Sequence, residues 1–299
     1  MSSTEKEIAQ SQEKVNLESR LAVEQHYIDP SPIHGLWALT NRDLRKWYTN
    51  PFQLFMSLIQ PVIWLGLFGK ALDFGAIFSG SAPQLSGAIV SSVFGTSSYF
   101  SYLAAGMLTF VILFTAMFSG MSVVWDRRFG FLNKVLTTPV ARGSIVMAKV
   151  LSSVARSLVQ AAIVLVIAVL LGMDISKMTL LGVAGTFAAM FLMAIGLSSL
   201  FVMLALRSSD WQTQMAIMNL LNLPLLFASN ALFPSKFMPE WLQYIVKVNP
   251  VSYATDAARQ LLLGSPGMVS LSFDFSFLLG FAILFSVIGI VMSWRYLTK

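Results

Sequence analysis

No cysteine occurs in the 299 residues, which excludes thiolate metal sites, thiol nucleophiles and disulfides. Histidine is nearly absent: His26 and His34 both precede the first apolar run and read as surface residues rather than metal ligands. Charge is scarce too, with Asp, Glu, Lys and Arg forming 11% of the chain against 56% hydrophobic residues and a mean hydropathy of +0.71. So few charges cannot solvate one or two soluble domains, and the composition is that of a membrane protein. The net charge of +6 does not point to nucleic acid, because the basic residues gather beside apolar runs, where membrane insertion selects them.

Reactive motifs are missing as well. The chain has no G-x-x-x-x-G-K-[ST] loop, G-x-G-x-x-G turn, H-E-x-x-H pair or G-x-S-x-G elbow. No catalytic residue, metal or cofactor is therefore predicted in this chain, and an enzyme is not expected. A coupled-ion transporter needs titrating or coordinating groups at membrane depth, yet the apolar runs hold only Lys70 and Arg156, both near run ends. Energy must come from elsewhere.

What is present divides the chain into three parts. Residues 1–29 are rich in Glu, Gln, Ser and Lys and lack an apolar core, so a flexible cytoplasmic tail without a signal peptide is expected. Residues 30–51 read as a helix with Ser31 as cap, Pro32 in its first turn and Pro51 beyond its end. There Ile33, Leu36, Trp37, Leu44, Trp47 and Tyr48 recur at helical spacing while Arg42, Arg45 and Lys46 face elsewhere, the pattern of an amphipathic helix lying in the headgroup region. Residues 52–299 then supply six candidate spans, at 52–72, 102–124, 151–172, 178–205, 213–233 and 275–294. The fifth carries three asparagines and Pro224. Between the fifth and sixth, residues 234–274 have short helical periodicity broken by Pro234, Pro239 and Pro250, which suits short re-entrant helices. The predicted fold is an all-α membrane protein: six transmembrane helices, an interfacial helix before them and re-entrant helices before the last.

Basic residues orient it. One set of connections holds Lys6, Lys14, Arg20, Arg42, Arg45, Lys46, Arg127, Arg128, Lys134, Arg142, Lys149, Arg207, Arg295 and Lys299, fourteen in all, and the other holds Lys70, Lys177, Lys236, Lys247 and Arg259. The first set marks the cytoplasmic side of a cell membrane, with both termini on it and Arg156 snorkelling toward it.

Between the second and third spans lies "WDRRFGFLNKVLTTPVARG". As a helix from about Arg128 to Thr137 it places Phe129, Leu132 and Leu136 on one stripe, with Thr138 and Pro139 ending it and Ser144 capping the next helix. Phe129 and Phe131 would be costly in water unless a partner or the membrane covered them. A short helix parallel to the membrane between two spans can serve as a lever.

At these residues the sequence resembles the permease subunits of type-2 ATP-binding-cassette exporters, the family that includes daunorubicin-resistance and polysaccharide-export permeases. The likeness runs through residues 33–299, in "PVIWLGLFGKALDF", in the second span ending Trp-Asp-Arg and followed by "TTPVARG", and in "NALFPSKFMPEWLQYIVKVNPVSYATDAARQLLLG". Arg128 and Phe129 depart from it, since relatives commonly carry a Glu before the glycine. The resemblance implies a coupling helix seated in a separate cytoplasmic ATPase, with Asp126, Arg127, Arg128, Phe129, Leu132, Asn133, Leu136, Thr137, Pro139 and Arg142 as contact or shaping residues. It implies a second contact at 206–214 through Arg207, Asp210 and Gln212. Two permease copies would form the pathway above two ATPases that bind ATP and magnesium, with membrane lipid as the surrounding partner.

For the pathway the resemblance points to spans two and five. Met107, Phe110, Phe114, Met117 and Met121 repeat along the second, and Asn219 and Asn222 share a face of the fifth; Met and aromatic stripes more often pack than bind, and asparagines in a span equally tie helices together by hydrogen bonds. The leading expectation is an ATP-driven exporter of a hydrophobic or lipid-like solute. Export of a lipid-linked polysaccharide is the alternative, disfavoured by spans with few polar residues. An ATP-independent channel or scaffold would leave the basic segment without a task.

Overall fold

A computed structural model of the chain describes residues 32–67, 69, 91, 94–96, 98–138, 140–208 and 210–296. The predicted tail, Ser31 and Pro139 lie outside them. Ten α-helices follow in order: α1 (Pro32–Tyr48), α2 (Pro51–Gly66), α3 (Tyr99–Arg128), α4 (Phe131–Leu136), α5 (Arg142–Leu170), α6 (Leu180–Arg207), α7 (Trp211–Phe227), α8 (Glu240–Val246), α9 (Pro250–Leu263) and α10 (Leu271–Tyr296). A 3₁₀ turn, Ser235–Phe237, precedes α8. No strand occurs among the described residues.

Four helices are long and apolar enough to cross a membrane: α3, α5, α6 and α10. They extend the second, third, fourth and sixth predicted spans at one or both ends. The first and fifth predicted spans are occupied by shorter helices, α2 of 16 residues and α7 of 17. Hydrophobic content cannot distinguish these cases, because helix length depends on where the backbone unwinds.

The long helices pack around α6, which touches α10, α3, α5 and α9. Small residues permit the approach. Gly120 of α3 lies so close to α6 that a β-carbon there would sit 2.6 Å from the Phe201 carbonyl oxygen. Nearby, Ser198 of α6 donates to Ser153 of α5 at 2.8 Å, and Ser119 of α3 donates to the Lys149 carbonyl at 3.3 Å. Small side chains that bond across helices are the usual adhesive where lipid removes the hydrophobic drive between them. Burial is uneven: 78% of the most apolar stretch of α3 is enclosed but 17% of that of α10, so α3 is central and α10 peripheral.

α7 stops at Phe227, short of residue 233, and the chain turns through buried residues 228–232. Unwound backbone away from water needs partners for its carbonyls, and these come from the following segment and from α3, where the Tyr102 hydroxyl donates to Asn230 O at 3.2 Å. Asn249 Nδ2 donates to the carbonyls of Leu225 and Ala228, both at 2.8 Å. Arg259, 4% exposed, donates from Nη1 to Asn230 O at 2.6 Å and from Nη2 to Ala231 O at 2.7 Å. Its Nε and Nη2 also reach Tyr102 O at 3.3 and 3.2 Å, and its guanidinium carbon lies 3.4 Å from the Tyr102 ring centre. Gly106 completes the fit, since a β-carbon there would be 2.1 Å from Ala231 O. Arg259, counted above among the outer-loop basic residues, is thus an internal fastener of α3, α7 and α9. Alongside it α9 is buried along most of its length, as helices packed into the protein require, and Gln260 Nε2 bridges the buried carboxylates of Asp256 (3.2 Å) and Asp274 (2.9 Å).

Arg259→Met leaves Ala231 O without its side-chain donor and Asn230 O with the Tyr102 hydroxyl alone, and is expected to destabilise the protein by about 3 kcal/mol or more. Arg259→Lys, which lacks the planar fork, should fall between it and the native chain. The thermal midpoint of the purified protein in detergent measures both.

Candidate functional site

The basic end of the bundle carries the predicted coupling residues. α3 runs to Arg128, four residues past the predicted span end, and Phe129 closes it. Gly130 then turns the chain with φ of 70°, a conformation in which a side chain is strained. The predicted single helix over Arg128–Thr137 is therefore two pieces, the end of α3 and the six-residue α4. This break separates the expected stripe: Phe129 is 79% exposed, Leu132 is buried and Leu136 is half-buried. The expected exposed pair of phenylalanines also divides, because Phe131 is half-buried beneath Arg42, whose guanidinium carbon lies 3.2 Å from the ring centre. α5 starts at Arg142 after Ala141, so Ser144 is inside the helix instead of capping it.

Asp126, expected as a partner contact, turns inward. Its carboxylate meets Lys149 Nζ at 2.5 Å, Arg42 Nη2 at 3.3 Å and Lys46 Nζ at 3.8 Å. Lys149 also pairs with Asp43 at 2.7 Å, and Arg42 with Asp43 at 3.1 Å. Asp43, Asp126 and Lys149 are largely buried, so the charges reinforce one another where solvent screens little. This network welds α1, α3 and α5 together. It also corrects the expectation that Arg42 and Lys46 lie on a separate polar face. Trp47 of the same helix is buried, whereas Trp37 and Arg45 are exposed.

Arg127 is a second weld. It donates to the carbonyls of Leu206 (3.1 Å) and Ser208 (2.8 Å), covering the carbonyl end of α6. Beyond it, Asp210 caps α7 by accepting from Thr213 N at 2.8 Å and Thr213 Oγ1 at 2.7 Å. Those bonds, the backbone one foremost, hold the Asp210 carboxyl below its ordinary range. Trp125 and Trp211 stack with centroids 5.8 Å apart, linking α3 to α7. The two predicted contacts, 126–142 and 206–214, are thus joined into one surface. On it Arg128, Phe129, Asn133, Thr137, Arg207, Asp210 and Gln212 are exposed, and Arg142 is half-buried.

The predicted pathway residues separate. Met107, Phe110, Met117 and Met121 are buried in the core, with Phe110 also at the wall of a cleft that Phe114 lines. Asn219 is exposed and Asn222 buried. The cleft, about 500 Å³, lies between α1, α2, α3 and α5 and was not foreseen. Across it Gln160 donates to Ser57 Oγ at 2.6 Å and accepts from Thr115 Oγ1 at 2.6 Å. Polar Gln160 and Arg156, one helical turn apart in the third predicted span, were the available signal.

Four long apolar helices among the described residues, joined at one end by a charged cluster, are those of a multi-pass membrane protein. Residues 34–263 match the family described as ABC-2 type transporter. The ycf38 transport permease of Cyanophora paradoxa is 32% identical over 247 residues, covering 82% of this chain and 80% of its own length. The daunorubicin resistance ABC transporter permease protein DrrB1 of Streptomyces coeruleorubidus is 26% identical over 73% of this chain and 71% of its own length. Nodulation protein J of Rhizobium meliloti is 24% identical over 80% and 86%. The chain belongs to the ABC-2 type transporter family, as a permease subunit.

Asp126→Asn and Lys149→Met are each expected to destabilise the protein by about 3 kcal/mol, because each leaves a buried charge with too few partners. The double variant should cost less than the sum by about 1 kcal/mol or more, measured as a thermal double-mutant cycle.

Proposed function

We propose that the chain is the permease of an ATP-driven exporter that moves a hydrophobic or lipid-like solute out of the cytoplasm or inner leaflet of the cell membrane. Two copies work with two ATPase subunits, which bind ATP and magnesium. The observation that carries this reading is Phe129, 79% exposed at the end of a helix whose neighbours are all fixed. An exposed aromatic on a rigid mount suits a cleft in a partner protein. Since Asp126 and Arg127 tie that helix end to α1, α5 and α6, a push there moves the bundle as a body.

In this reading Arg128, Asn133, Thr137, Pro139 and Arg142 form one contact with the ATPase, and Arg207, Asp210 and Gln212 the other. Leu132 and Leu136 seat the short helix α4. Both termini and the basic end are cytoplasmic, as the excess of Lys and Arg supports. α2 and α7 complete six spans, with the buried turn at 228–232 and the short helices after it extending α7 toward the outer side. α1, with Trp37 and Arg45 exposed, lies in the inner headgroup region. The drug-resistance permease among the relatives supports an amphipathic solute.

Phe129→Ala removes an exposed side chain and should leave assembly of the permease intact while lowering transport-coupled ATP turnover about tenfold, the loss of a ~1.4 kcal/mol anchor. ATPase assays of the reconstituted complex test it, and unchanged turnover would refute the coupling role. A tag reacting at Lys134 from the outside of intact cells would refute the orientation.

A further inference from the structure

The cleft between α1, α2, α3 and α5 contains a cation with no ion pair among the described residues, drawn only at longer range toward Asp43. Three cations, Lys46, Lys149 and Arg156, line it with two carboxylates, Asp43 and Asp126. Lys149 binds both carboxylates and Lys46 stands 3.8 Å from one of them. Arg156 donates from Nε to the Ser152 carbonyl at 3.1 Å, and no carboxylate lies within ion-pair distance of it among the described residues. It sits seven residues beyond Lys149 on α5, about 10 Å further into the membrane at the helical rise. A guanidinium at that depth calls for an anion.

The rest of the cleft is shaped for an apolar body. Phe110, Phe114 and Phe118 form a column at i, i+4 and i+8 along α3, facing Met56 of α2. Phe118 and Met56 are 52% and 44% exposed, so the cleft is open at its side, between α2 and α3. A volume of about 500 Å³ falls within the range of small-molecule sites, roughly 300–1,000 Å³. The bonds of Gln160 to Ser57 and Thr115 hold α5 against α2 and α3 one turn beyond Arg156, fixing its place in the wall.

We propose that this cleft binds an anionic amphiphile, entering sideways from the membrane, with its acidic head on Arg156 and its apolar body along the phenylalanine column. A cationic amphiphile is repelled by the same guanidinium. The site does not depend on the export reading; the identification of its occupant as cargo does, and a resident anionic lipid offers the same chemistry.

Tryptophans Trp47 and Trp125 line the cleft and report on it. The purified permease in phosphatidylcholine vesicles is titrated with brominated phosphatidylglycerol and, separately, with brominated phosphatidylcholine of the same chains. Quenching is expected to show a preference of roughly tenfold for phosphatidylglycerol, the size of one charge-assisted bond. Arg156→Gln should abolish the preference and Arg156→Lys should retain most of it. Gln60→Glu, which puts a carboxylate on the same cleft wall, should weaken it and serves if Arg156→Gln does not fold. Equal quenching by both lipids, or a preference unchanged in the Arg156→Gln or Gln60→Glu protein, would overturn the site. With the ATPase and MgATP added, transfer of fluorescent phosphatidylglycerol between leaflets identifies cargo. Selective binding without transfer identifies a resident lipid and counts against that cargo alone.

Discussion

The arrangement of the basic end depends on one carboxylate. Asp126 lies where three cations from two other helices converge, and without it Arg42 and Lys149 would share the one carboxylate of Asp43 while Lys46 had none. Its position is set by helix α3, which runs unbroken from Tyr99 to Arg128 and so delivers Asp126 and Arg127 one after the other at its end. Successive residues on a helix point about 100° apart, which sends one side chain to α1 and α5 and the other to α6. Two adjacent residues thereby connect four helices. Gly130 frees the chain immediately afterwards, so α4 can fold back against the core while Phe129 stays outside.

The opposite end solves a different problem with the same economy of residues. A helix that ends inside a membrane protein exposes carbonyls that no water can reach. Here Asn249 and Arg259 take up four of them, and each also serves its own helix: Asn249 accepts from Val251 N at 3.0 Å, capping α9, and Arg259 projects from the middle of α9. The consequence is mechanical. α7 cannot shift along its axis without breaking bonds to α9 and α3, whereas at its other end it is held by the stacking of Trp211 on Trp125 and by a self-contained cap at Asp210. The end of α7 that adjoins the basic surface is the more easily moved of the two.

Helices and their polarity were legible in the sequence because apolar length and basic flanks are local properties. The long spans, the broken helices after α7 and the basic end were all readable in this way. Side-chain partners were not. "WDRRFG" drew attention to Asp126 and Arg127, yet nothing local shows that α1 returns across α5 and brings Arg42 and Asp43 to the end of α3. Arg259 looked like a loop cation for the same reason: its acceptors are Tyr102, Asn230 and Ala231, distant in sequence from it or carried by backbone. Phe129 was legible, since an exposed aromatic next to a glycine needs no partner within the chain to be noticed.

Arg156 belongs to neither end, and that is what sets it apart. The Asp126 and Arg259 assemblies both match donors to acceptors, as a protein in lipid must. Arg156 is served by one carbonyl of its own helix while standing in the wall of an open, aromatic-lined space. Lengthening Asp43 to Glu would reach toward it by one methylene, but Asp43 is already taken by Lys149 and Arg42. A guanidinium so placed raises the energy of the empty cleft and lowers that of a cleft holding an acid. In the proposed site this guanidinium selects among amphiphiles by the sign of the head before shape has any say.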